Sequence, residues 1–263
     1  MEKIAFIGMG NMAQALTGGF IKAGKIEPKN IFAYAPNQQK LAQNAAKYGF
    51  IPCASLKEAV SKADTIFMAC KPYQIEDVIS EAGRDFANKT LITKPLAWHF
   101  HAFEKIFSTK KKKPRIQFVM PNTPAMVGEG VFLFEKTNSL KPEERAQIWQ
   151  LFENLGTVEE LPDNLMGIGG AISGCGPAFV DLFIEAYADA AVKYGIPRAT
   201  AYKLVSQTVL GSAKLQLQTG EHPAVLKDNV CSPAGSTIRG VTALEENGLR
   251  NACIKSIDAI MQK

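Results

Sequence analysis

Sulfur and imidazole ligands are sparse in this chain. Its five cysteines, Cys53, Cys70, Cys175, Cys231 and Cys253, include no CxxC pair, and its only histidines are His99, His101 and His222. An odd, scattered cysteine set argues against a disulfide framework and against a zinc site, so no metal and a reducing, cytoplasmic compartment are expected. No run reaches the ~18 consecutive apolar residues of a membrane span. The apolar start "KIAFIGMG" is broken by glycines too early for a secretory leader, and no membrane partner is expected. Neither sign of charge dominates. The net +5 is matched by the five charges of Lys110, Lys111, Lys112, Lys113 and Arg115, a run that reads as a solvated loop before a strand. Without it no distributed basic face remains, which argues against nucleic acid as a partner.

What is present is ordinary globular composition: 263 residues, 46% hydrophobic and 21% charged, enough for one large domain or two smaller ones. The first half alternates regularly. "KIAFIG", "NIFAYA", "TIFMAC", "TLITK" and "RIQFVM" read as buried strands, separated by helical stretches such as "NMAQALTGGFIKAG", "NQQKLAQNAAKYG" and "QIEDVISEAG". That rhythm predicts a parallel α/β sheet with right-handed crossovers. "VFLFEK" extends the layer, followed by the helix "PEERAQIWQLFENLG" and an edge strand "TVEEL". After Pro162 the chain turns almost wholly helical, which sets an expected division into residues 1–162, a Rossmann-type domain, and 163–263, a helical domain.

The first motif is "IAFIGMGNMAQAL". Gly8, Gly10 and Ala13 give G-x-G-x-x-A after a strand and at the opening of a helix. Gly8 permits the tight turn, Gly10 lets backbone approach a pyrophosphate, and Ala13 allows close helix–strand packing, while the helix N-terminus faces the phosphates. The second strand then bears on which dinucleotide binds. NAD sites place an acid at its end, about 20 residues past the glycines, for the ribose 2′-hydroxyl. Here "FAYAPNQQK" has none, and Asn37, Gln38 and Lys40 suit a 2′-phosphate instead, so NADP(H) is expected over NAD(H). Lys71-Pro72 in "MACKPYQI" and Asn122-Thr123 in "MPNTP" follow strands at the edge where an open parallel sheet binds ligands. "CSPAGSTIRG" places a proline, glycines and hydroxyls before a helical run. That arrangement suits a carboxylate held on bare backbone N–H groups, or a capped helix start.

Together these motifs resemble the pyrroline-5-carboxylate reductase family from residue 4 to nearly the end. "GxGNMA", "KP", "MPNTP", "SGxGPA", "GEHPxxLKDxVCSP" and "GxTIxGxxxLE" occur in the family's order and spacing. The resemblance implies an N-terminal Rossmann domain and a C-terminal helical domain that forms a homodimer, with assembly of dimers beyond it. It implies reduction of the cyclic imine 1-pyrroline-5-carboxylate to L-proline with NADPH preferred and NADH accepted. It also implies site residues: Thr237 as the catalytic hydroxyl at the ring nitrogen, and Gly235, Ser236 and Thr237 on the substrate. For the dinucleotide it implies Ile7, Gly8, Met9, Gly10, Asn11, Met12, Ala35, Asn37, Ser55, Ala69, Cys70, Lys71, Pro72 and Asn229.

The chain also departs from the family pattern. Where relatives carry a Ser-x-Ala-Ala-Gly turn near the nicotinamide, it reads Lys94-Pro95-Leu96-Ala97-Trp98, and Pro95 and Leu96 are expected to narrow that pocket. Phe118 stands where an arginine is common, and "PGG" becomes Pro233-Ala234-Gly235. Two alternatives follow from these departures: a related reductase acting on another imine or keto acid, or a weakly active nucleotide-binding paralogue. His99 and His101 read as surface or packing residues.

Overall fold

The computed structural model describes residues 3–94, 98–108 and 110–262. The chain divides into two compact units, Met1–Gly174 and Cys175–Lys263.

The first unit opens with β1 (Ile4–Ile7), α1 (Asn11–Lys22), β2 (Ile31–Tyr34), α2 (Gln38–Tyr48) and β3 (Ile51–Pro52). It continues with α3 (Leu56–Ser61), β4 (Thr65–Met68), α4 (Ile75–Ala82), β5 (Thr90–Thr93) and α5 (Phe100–Phe107). It closes with β6 (Arg115–Pro121), β7 (Gly130–Glu135), α6 (Pro142–Glu153), β8 (Gly156–Leu161) and α7 (Met166–Ser173). The eight strands form one sheet in the order β3-β2-β1-β4-β5-β6-β7-β8. Every pair is parallel except β6–β7.

The apolar runs of β1, β4 and β5 are buried at every position because helices cover both faces of the sheet. On one face Phe6 stacks on Phe67 at 4.8 Å, and Leu16, Phe20 and Phe152 of α1 and α6 fill in around them. On the other face Ile7, Ile66, Leu91 and Met68 meet Leu56, Ile75, Phe103 and Phe107 of α3, α4 and α5. Strand order reverses about β1, whose neighbours are β2 and β4, so the crevice at the C-terminal ends of β1 and β4 is where such a sheet takes a ligand. Beyond β5, α7 lies close to β6 and β7: a Cβ on Gly170 would meet Met120 at 2.8 Å, and one on Gly169 would meet Leu133 at 2.7 Å.

The second unit is all helix: α8 (Gly176–Lys193), α9 (Arg198–Thr219), α10 (Pro223–Asn229), α11 (Ser236–Glu246) and α12 (Leu249–Met261). Among its described hydrophobic residues only Ala188 and Ala201 are fully buried, while Leu182, Phe183, Leu204, Leu210 and Leu217 lie exposed.

The stretch Asp163–Lys193 is long and apolar enough to cross a membrane by length and composition. Asp181 and Glu185 interrupt it, so it holds no continuous apolar run of ~18 residues.

Candidate active site

The turn after β1 is built for close approach. Gly8 has φ +98°, and a Cβ on it would meet the Ala69 carbonyl and the Cys70 nitrogen at 2.7 Å. Its N–H donates to the Tyr34 carbonyl at 2.8 Å, while the Ala69 N–H donates to Ile7 at 2.8 Å. These bonds pin the turn between the ends of β2 and β4. Gly10 differs, since a Cβ there would meet nothing within 4 Å. The space in front of it is open and belongs to whatever binds. Gly10 also heads α1 with no side-chain cap, and no acid lies in the first turn. The N–H groups of Asn11, Met12 and Ala13 are therefore offered outward with the positive end of the helix dipole. Met9 is buried, and its carbonyl accepts from Gln14 Nε2 (3.3 Å) and Asn44 Nδ2 (3.5 Å), which holds the loop in shape. These features fit a dinucleotide pyrophosphate.

Around this turn the other candidate residues of the sheet unit lie at the C-terminal ends of its strands. Ala35 follows β2, and its carbonyl accepts from Gln38 Nε2 at 2.9 Å. Asn37 caps α2 through its Oδ1, which accepts the Lys40 N–H at 2.9 Å, leaving Nδ2 for a ligand. Ser55 caps α3 by accepting the Glu58 N–H at 3.2 Å, and Glu58 answers by accepting the Ala54 N–H at 2.8 Å. That reciprocal cap gives Ser55 a helix-starting role of its own. Ala69 and Cys70 end β4. Burial pushes the Cys70 thiol up to about 11, so it is no nucleophile at neutral pH. Lys71 is exposed ahead of Pro72, and its N–H donates to Gln74 Oε1 at 3.0 Å.

Lys94, to which the sequence assigns no role, directly follows β5. Burial holds its ammonium below the usual lysine range, and the charge on Lys71 adds to that effect. A small cavity lined by Leu16, Ala69, Ile92 and Pro121 reaches it. The signal available was a lysine at a strand terminus within an apolar run. Pro95 and Leu96, expected to narrow the pocket, lie outside the described residues.

Asn122 turns out to be structural. Its Oδ1 accepts the Val131 N–H at 2.8 Å and its Nδ2 donates to the Ser173 carbonyl at 3.0 Å, tying β6 to β7 and α7. Phe118 is fully buried, and its ring lies 4.6 Å from that of His99. His99 Nδ1 lies 3.1 Å from Oε1 of buried Glu135 without forming a hydrogen bond, while His101 stands exposed between Glu104 and Asp163.

In the helical unit, Asn229 ends α10, whose start is capped by His222 Nδ1 accepting the Ala224 N–H at 3.2 Å. Gly235 heads α11 without a side-chain cap, and Ser236 and Thr237 occupy its exposed first turn. The Gly235 N–H is already committed to the Ser232 carbonyl at 3.0 Å. Gly235 contributes close approach, and the free donors are the N–H groups that follow it.

A glycine turn at the switch point of a parallel sheet, with an uncapped helix start and no acid ending β2, defines a nicotinamide-dinucleotide oxidoreductase of the Rossmann type. Residues 3–94 match the family model described as NADP oxidoreductase coenzyme F420-dependent, and residues 163–263 match that of pyrroline-5-carboxylate reductase dimerisation. The pyrroline-5-carboxylate reductase of Treponema pallidum is 40% identical over 98% of each chain. That of Escherichia coli is 39% identical over 100% of this chain and 97% of its own. The crystal structure of Plasmodium falciparum pyrroline carboxylate reductase, with NADP bound, superposes with a TM-score of 0.88 at 31% identity, covering 98% of this chain and 95% of that one. The chain belongs to the pyrroline-5-carboxylate reductase family.

Proposed function

We propose that the chain reduces 1-pyrroline-5-carboxylate to L-proline with NADPH, acting as a self-associated dimer. The observation that carries this reading is the end-to-end match, at 40% identity, to a relative of that name. Residues 1–162 are assigned the dinucleotide and residues 163–263 the substrate and the dimer contact.

The bound dinucleotide supplies the hydride. The imine carbon would gain that hydride and the ring nitrogen a proton from solvent, so that C=N becomes a C–N single bond carrying one new C–H and one new N–H. Ile7, Gly8, Met9 and Gly10 shape the turn, and the N–H groups of Asn11 and Met12 take the pyrophosphate. Asn37, near the end of β2, leaves room for a 2′-phosphate where an acid would repel it. The Ala69–Pro72 segment at the end of β4 borders the dinucleotide, and Ser55 and Asn229 complete the assigned contacts. On the substrate, the first turn of α11 offers N–H groups to the carboxylate, and the Thr237 hydroxyl bonds the ring nitrogen. The protein's part is orientation, because a protonated imine needs no strong protein acid.

The test is oxidation of NADPH by purified protein with 1-pyrroline-5-carboxylate, read at the nicotinamide absorbance with proline identified as product. Binding of NADPH without turnover of this imine would overturn the reading.

A further inference from the structure

Directly before α11, Ser232-Pro233-Ala234-Gly235 form a tight turn closed by the Gly235 N–H donating to Ser232 at 3.0 Å. Proline at its second position fixes φ near −65°. Ala234 at the third has φ +59°. A negative φ followed by a positive one makes this a type II turn, whose third position glycine normally fills. In an L-residue the left-handed region crowds Cβ against the backbone. Among the described residues only Asn88 and Ala234 take a positive φ without being glycine, and asparagine tolerates that region far better than alanine. Ala234 is exposed, so packing on its methyl does not hold it there. The strain cannot pass to the next residue either, because a Cβ on Gly235 would meet Ser232 Oγ at 2.4 Å.

A second form of this turn lies close at hand. Turning over the Pro233–Ala234 peptide plane converts type II into type I, keeps the closing hydrogen bond, and returns Ala234 to a negative φ. Proline is accepted at the second position of both forms. The flip exchanges the direction of the Pro233 carbonyl and the Ala234 N–H immediately before the helix start.

We propose that Ala234 is a positioning residue for the substrate: its backbone strain holds the turn in balance between the two forms, and the carboxylate draws it to the type II form. The proposal rests on the assignment of the α11 start to the substrate carboxylate. A ligand that needs one of two forms binds with its intrinsic affinity reduced by the fraction of protein in that form. Glycine at position 234 would remove the balance, whereas alanine makes the substrate complete it.

A series at one position separates strain from size. Tolerance of the left-handed region falls from glycine through asparagine and alanine to valine, whereas asparagine is larger than alanine. With NADPH saturating, Ala234→Gly and Ala234→Asn should each lower KM for 1-pyrroline-5-carboxylate by about two- to fivefold, and Ala234→Val should raise it by at least as much. The kcat and the KM for NADPH should stay at their wild-type values throughout. A KM for Ala234→Asn at or above that of wild type, or a flat series, overturns the proposal.

The turn can also be read without turnover. In ligand-free protein the nuclear Overhauser contact between Pro233 Hα and the Ala234 N–H is strong in a type II turn and weak in type I. It should strengthen in Ala234→Gly, and equal strength in the two proteins overturns the proposal. Absence of imine reduction by wild-type protein counts against the proposed activity, while this contact still reports on the turn.

Discussion

Gly8 and Gly10 share a motif but fail differently when changed. A side chain at Gly8 strikes the backbone of Ala69 and Cys70, so Gly8→Ala should disturb folding. At Gly10 the new methyl enters open space, so Gly10→Ala should keep its thermal midpoint while losing at least tenfold in NADPH affinity, or about 1.4 kcal/mol. Calorimetric titration beside a melt separates the two, and unimpaired binding would remove the pyrophosphate from this turn. Asn37→Asp should retain the α2 cap, since aspartate caps as well as asparagine, yet repel a 2′-phosphate. Its measured preference should therefore swing from NADPH to NADH. Thr237 lies exposed in the first turn of α11, so Thr237→Ala should leave the melt unchanged. Loss of one bond to a charged nitrogen, about 1.5–3 kcal/mol, should lower kcat roughly 10- to 150-fold. A loss of stability with normal turnover per folded site would make Thr237 structural.

Elements far apart in sequence are stitched by single carboxylates. Glu135 of β7, 1% exposed, accepts the first N–H of α5, that of Phe100, at 2.9 Å and lies beside His99. Glu135→Ala should strand that donor and cost about 1–3 kcal/mol in denaturant unfolding. Glu144 of α6 joins Arg115 of β6 at 2.6 Å and caps its own helix at Lys141. Burial raises its carboxyl, but the Arg115 and Lys141 bonds outweigh this and hold it below the ordinary 4.5. Its contribution is thus complete above that value and fades as the pH falls through the folded-state value. Glu144→Gln should cost about 0.5–1 kcal/mol near neutrality and almost nothing near the acid limit of folding, as pH-dependent melts would show. The long strands were legible because burial on both sides makes them near-continuous apolar runs. β3, of two residues, and α3, of six, are too short to display a period. The antiparallel direction of β7 leaves no mark on a strand already buried on both faces. The α5 cap comes from 35 residues away, beyond the reach of local pattern. In the candidate site, glycine spacing marks the turn proposed for the pyrophosphate, whereas Ser55, Ala69 and Asn229 carry no chemical signal and enter only through family resemblance.

At the scale of the whole molecule, the two units differ in what a single copy can bury. The sheet unit encloses rings on both of its faces, whereas α8 and α9 leave Leu182, Phe183, Leu204 and Leu217 in the open. Exposed apolar surface of this extent marks a contact surface. Leu182→Glu with Leu217→Glu should halve the mass measured by light scattering and abolish turnover, while NADPH still binds; an unchanged mass would clear these side chains of that role. A further consequence concerns dilution. If the helical half completes its core only with a second copy, its stability is governed by mass action, and the free energy of holding it folded includes the concentration of the chain itself. Its melting transition should climb with each tenfold increase in protein, whereas the transition of the sheet unit, which needs no second copy, should stay where it is. The same enzyme would then be two proteins to a calorimeter, one indifferent to how crowded its solution is and one that persists only in company.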